Sequence, residues 1–70
     1  MTEVRAEMTA SVWQVAVTAG QTVAEGDELI VLESMKMEIP VEAPVAGTVA
    51  EVLVSPGDQV VEGQVLVRLS

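Results

Sequence analysis

Neither cysteine nor histidine occurs anywhere in the seventy residues of this chain. The first absence excludes a disulfide framework, a thiolate metal site and a catalytic thiol. The second removes the commonest general base and the commonest metal ligand. Phenylalanine and tyrosine are also missing, which leaves Trp13 as the one aromatic side chain and requires an aliphatic core. Positive charge is scarce: eleven acids against three bases set the formal net charge at −8. A surface of that sign repels phosphate backbones and anionic headgroups, so neither nucleic acid nor membrane is an expected partner. No apolar run exceeds the four residues Leu29–Leu32. The acidic start, Met1–Glu7, has neither the basic region nor the apolar core of a targeting segment, so a cytoplasmic location is expected.

What the chain has in quantity is valine, fifteen residues of it. β-Branched side chains suit a pleated, half-buried surface, and no window of helical length carries an apolar stripe free of Gly or Pro. The chain therefore reads as all-β. It also reads as a repeat. Residues 12–33 align without a gap on residues 49–70 at an offset of 37, with nine identical positions that include Gly20/Gly57 and Gly26/Gly63.

Each half reads as short strand, turn, short strand. Ser55-Pro-Gly-Asp58 places Pro and Gly at the central positions of a type II turn, and Thr18-Ala-Gly-Gln21 is its counterpart. Turns are expected at Gly20, Gly26, Gly47, Gly57 and Gly63. Strands are expected near 11–17, 22–24, 28–34, 37–42, 48–54, 59–61 and 65–69, with a first strand near 2–8. Val49 and Val52 have opposite parity, which predicts a bulge between them. Two halves that cannot bury their apolar faces alone should form two small antiparallel sheets face to face, a flattened barrel or sandwich with pseudo-two-fold symmetry. One domain then covers 1–70, with half-repeats at about 4–33 and 41–70 joined by a hairpin at 34–38. Under that symmetry the two termini should lie near each other, away from the hairpin.

Lys36, the only lysine, falls at the tip of that hairpin, inside Glu33-Ser-Met-Lys-Met-Glu38. Nothing in the sequence supplies the desolvation or the neighbouring cation that activates Schiff-base and general-base lysines. It offers instead an accessible primary amine on a flexible stem, suited to modification by another enzyme. Trp13 reads as an amphipathic strand residue covering the barrel rim. The acidic pair Asp27-Glu28 lacks the further oxygens a metal site needs, so no metal is expected.

Glu33-Ser-Met-Lys-Met-Glu38 resembles the attachment signature of biotinyl domains, the biotin carboxyl carrier modules of biotin-dependent carboxylases. The downstream Ala43-Pro-Val-Ala-Gly-Thr-Val49 and the pattern Gly57, Asp58, Val60, Gly63, Leu66 are also similar to that family, so the resemblance covers nearly the whole chain. It implies a barrel-sandwich hybrid fold, here without the protruding thumb loop of some members. It further implies a monomeric, non-catalytic carrier whose Lys36 holds biotin through an amide made by biotin protein ligase. Glu33, Ser34, Met35, Met37 and Glu38 would form the recognition flank, with the two methionines as an apolar collar. The implied partners are a biotin carboxylase and a carboxyltransferase, between which biotin carries a carboxyl group. Ser34 stands where the family most often has Ala, and Glu7 and Ala10 replace the Pro and Gly that many relatives keep in the first half. The related lipoyl domain places its lysine at the same hairpin tip, usually between Asp and Ala. A lipoyl carrier and an unmodified β-barrel interaction module are therefore the alternatives.

Overall fold

A computed structural model describes all residues from Met1 to Ser70 and contains only strands and turns. The strands are β1 (Thr2–Arg5), β2 (Ala10–Val15), β3 (Thr22–Val23), β4 (Glu28–Ser34), β5 (Met37–Glu42), β6 (Gly47–Val52), β7 (Gln59–Val60) and β8 (Val65–Leu69). They form two antiparallel four-stranded sheets, in the orders β1-β8-β6-β3 and β5-β4-β2-β7. The repeat is thus structural as well as textual: the offset of 37 carries β2 onto β6 and β3 onto β7 residue for residue. Each sheet draws strands from both halves. The halves are interlocked rather than stacked, because nearly every connection crosses from one sheet to the other. Only β4 and β5 are consecutive in the chain and paired side by side.

The turns fasten the two halves to each other. Gly20 and Gly57 take φ of 94° and 93°, the left-handed region that the third position of a type II turn demands and that glycine enters without a Cβ clash. Their amides then donate across the repeat, Gly20 to the Val49 carbonyl at 2.7 Å and Gly57 to the Val12 carbonyl at 2.8 Å. The turns at Gly26 and Gly63 repeat the device, donating to the Ala43 and Ala6 carbonyls at 2.8 Å. In each turn the fourth residue's side chain also accepts from the first residue's amide, as Asp58 Oδ2 does from Ser55 N at 2.9 Å.

Gly47 differs from these four. It opens β6 with no positive φ, and a Cβ there would stand 2.8 Å from the Ser70 carbonyl oxygen. It is a glycine of close approach rather than of a turn. The first strand also stops at Arg5, short of residue 8, because the Ala6 amide and carbonyl are taken by Gln64 and Gly63 of a turn instead of a ladder. Likewise β2 and β6 end before Val17 and Val54, which remain buried in the connections that follow. The bulge is present: the β6–β8 register shifts between Val49 and Glu51, and β2–β4 shifts at the equivalent Val12/Gln14.

Sixteen buried side chains, all aliphatic, form one core between the sheets, and no polar side chain is buried. Leu29, Ile30, Leu66, Val60 and Val67 are wholly shielded from water. Pairing of Thr2 with Leu69 sets the chain ends side by side, as the symmetry requires. On the outer face of the terminal sheet, Arg68 bridges Glu51 at 2.7 Å and Glu3 at 3.2 Å, and Arg5 binds Glu3 at 2.6 Å. The hydrogen bond from Arg68 is the largest influence holding the Glu3 carboxyl below its ordinary value, and the charge of Arg5 adds to it. A depressed folded-state value means this contribution is complete above the ordinary carboxylate range and is lost as pH falls through the lower folded value. The network is exposed, so the effect is modest. Thermal melts from pH 6 to pH 3 should show Tm falling less steeply in Glu3→Gln than in the parent protein.

Candidate functional site

The β4–β5 hairpin is anchored at its base and bare at its tip. Leu29, Ile30 and Leu32 are buried along β4, while Ile39 and Val41 of β5 pack against the core. The ladder runs through Leu32–Ile39 and Glu33–Glu38 to a last pair, Ser34–Met37, which leaves Met35 and Lys36 as a two-residue loop. Both have positive φ, 53° and 64°. That is the type I′ turn whose twist matches a β-hairpin, a turn normally built from Asn-Gly or Gly-Gly. Side chains other than Gly cost about 1–2 kcal/mol per residue in this conformation. The rigid ladder beneath holds the turn in place. Replacing Met35 by Gly relieves the strain but enlarges the unfolded ensemble, for a net gain of about 0.5–1 kcal/mol, a few degrees in Tm. Thermal melts of Met35→Gly against the parent protein check this.

The loop stands clear of the body. Met35 is 89% exposed and Met37 is 60% exposed, and Lys36 between them is exposed as well. Glu33 and Glu38 are exposed and directly opposed, a like-charge pair that a plain hairpin would avoid, and Ser34 is half-buried. Neither glutamate forms an ion pair with Lys36. Arg5 and Arg68 are both engaged with carboxylates, so Lys36 is the one basic side chain without a salt bridge. A groove of about 390 Å³ lies between the β1 and β5 edges, lined by residues such as Arg5, Met8, Ile39 and Pro40. Lys36 does not line it. Lys36 lines no cavity and is bound to no carboxylate. It can be acylated by an enzyme that brings its own machinery.

The family model described as "Biotin-requiring enzyme", which covers biotin and lipoyl attachment domains, matches residues 2–69. The chain belongs to the biotin/lipoyl attachment family. Among its relatives in this family, the "Biotinylated protein TB7.3 homolog" of Mycobacterium leprae (strain TN) is 52% identical over 97% of this chain and 96% of its own length. The "Biotin/lipoyl attachment protein" of Bacillus subtilis (strain 168) is 48% identical over 91% and 88% of the two chains. In three dimensions the fold is similar to part of the Kluyveromyces lactis urea carboxylase. That match has a TM-score of 0.93 at 30% identity and covers 99% of this chain but 6% of the carboxylase. This family member is accordingly a biotin carrier related to carrier domains of biotin-dependent carboxylases, and it is non-catalytic alone. The tip fits covalently held biotin, because its amine is exposed, bound to no carboxylate and bordered by apolar Met35 and Met37.

Sequence reasoning left two features unread. One is the placement of Trp13. It is the extra residue of the β2 bulge, 50% exposed on the outer face of the sheet that carries Lys36. The Arg68 network was the other, although the repeat held a clue to it: the offset sets Arg68 against Val31, a charge against an aliphatic side chain in otherwise matching strands.

Proposed function

We propose that Lys36 is the residue to which biotin protein ligase joins biotin, and that the protein acts as a monomeric carrier between a biotin carboxylase and a carboxyltransferase. The observation that carries this reading is that the only lysine stands uncommitted at the apex of a strained turn. Once deprotonated in the ligase, Lys36 Nζ attacks the activated carboxyl carbon of biotin, an amide bond forms and the activating group leaves. The chain then loses one positive charge, and its net charge moves from −8 to −9. Bound biotin supplies a nitrogen that accepts and releases a carboxyl group. The hairpin supplies placement, and a flexible tether gives that group a high effective concentration at each partner's active site. The two methionines and two glutamates around Lys36 provide the surface by which the ligase distinguishes this lysine from others.

Trypsin gives a direct test, because Arg5, Lys36 and Arg68 are its only cleavage residues. Protein made with ligase and biotin should yield one fragment from Ala6 to Arg68, heavier by one biotinyl group. Unmodified protein should yield two, divided after Lys36. A mass gain matching lipoate would assign the lipoyl alternative, and cleavage after Lys36 under biotin-replete conditions would refute the carrier reading.

A further inference from the structure

The two sheets offer a comparison of positions that the fold makes equivalent. Facing inward, the repeat is kept: Val12/Val49, Val15/Val52, Leu29/Leu66 and Leu32/Leu69 are identical pairs. Facing outward at the centre of each sheet, it is abandoned. The terminal sheet carries Glu51, Arg68 and Glu3 in a row, joined by ion pairs, with Ala50 at the bulge. The equivalent row of the Lys36 sheet is Gln14, Val31 and Pro40, opposite one another in the ladder, with Trp13 at the bulge. Three charges have been replaced by uncharged side chains, and alanine by tryptophan. Val31 is only 5% exposed yet lies outside the core cluster, so its cover comes from the side chains of its own outer face. The result is a small uncharged platform, made by the half-exposed Trp13 indole with Gln14 and Pro40 over the buried Val31. The exposed cross-strand pairs Glu33–Glu38 and Glu28–Glu42 border it on the two sides.

We infer that this platform is the docking face for biotin protein ligase, with Trp13 as its anchor; the inference rests on the carrier reading of Lys36. Continuity with the tip selects the ligase as occupant. Val31 is three residues from Ser34, about 10 Å at about 3.3 Å per residue, so only the Glu33–Glu38 pair separates the platform from the turn. A ligase must draw Lys36 Nζ itself into its active site, within reach of one lysine side chain, and so must lie against the hairpin. A carboxylase is reached through the longer biotinylated arm and has no such requirement. The complementary surface is an apolar pocket rimmed by Lys and Arg, which would meet the indole at its centre and the four glutamates at its edge.

Steady-state biotinylation of the full chain by its ligase tests this. Trp13→Ala should raise KM about ten-fold or more with kcat unchanged, the signature of lost binding rather than lost chemistry. Gln14→Glu, which restores one charge of the terminal sheet, should raise KM as well. Ala50→Glu, at the equivalent bulge of the other sheet, should leave both constants at the parent values, and thermal melts should show all three variants folded at the assay temperature. An unchanged KM in Trp13→Ala, with the parent protein biotinylated normally, overturns the docking face and leaves the carrier reading intact. So does an equal loss in Ala50→Glu. Normal ligation of Trp13→Ala followed by slower carboxylation of the biotinylated protein reassigns the face to the carboxylase and overturns the inference as stated. A parent protein that takes up no biotin removes the carrier reading and the inference with it.

Discussion

Lys36→Arg is expected to abolish biotin incorporation completely while leaving the fold and Tm at parent values. Arginine keeps the charge and most of the length at this exposed position, and the left-handed backbone there is no more strained by one long side chain than by the other. What is lost is the nucleophile. A guanidinium stays protonated under all conditions a ligase provides, so its nitrogens cannot attack an activated carboxyl carbon. No second lysine can substitute. The one remaining primary amine, at Met1, lies beside the C-terminus, where Thr2 pairs with Leu69 in the other sheet. Streptavidin capture of the variant should therefore fall to background. Anion exchange should show the parent protein eluting later after ligation, as its charge changes from −8 to −9, and the variant eluting unchanged. Biotin found on the variant at any residue would show that the ligase reads the fold without reading Lys36.

The hairpin tip was legible in the sequence because it depends on local chemistry. Met-Lys-Met between two strand patterns fixes a reversal, and the repeat places that reversal midway. The bulge was legible too, since Val49 and Val52 cannot both face inward across a regular ladder. Other features depend on groups distant in the chain. Gly47 resembles a turn glycine until the Ser70 carbonyl is placed 2.8 Å from where its Cβ would lie. The end of β1 follows from the Ala6 amide meeting Gln64 rather than from any residue after Arg5. The interlocking of the halves was also hidden, because a pattern of inward valines is satisfied equally by two stacked half-domains and by two mixed sheets.

Leu66→Ala and Leu29→Ala should each bring the domain close to global unfolding at room temperature, and by nearly the same amount. Both side chains are wholly shielded from water, and the repeat makes them equivalent. Truncating a buried leucine costs about 2–5 kcal/mol, through the lost transfer of its methyl and methylene groups and the cavity left behind. A folded chain of this length has a total stability of about 4–10 kcal/mol. The core offers little relief. It contains no aromatic ring or buried methionine to swing into the space, only alanines and short branched side chains set by two sheets whose separation the turns hold fixed. Urea denaturation should therefore show midpoints lowered alike in the two variants, and the double variant should not fold. The more informative result is ligation. Leu29 lies in β4, which leads into the turn at Lys36, whereas Leu66 lies in the other sheet. If the ligase needs only a short Met-Lys-Met peptide, both variants should be biotinylated at the parent rate even when unfolded. If it needs the ladder that holds Met35 and Lys36 in their left-handed turn, ligation should fall in proportion to the folded fraction in both, and urea should abolish it at the unfolding midpoint of each. The strained geometry of the tip favours the second outcome, since no isolated peptide would hold two non-glycine residues at positive φ without the paired strands beneath them.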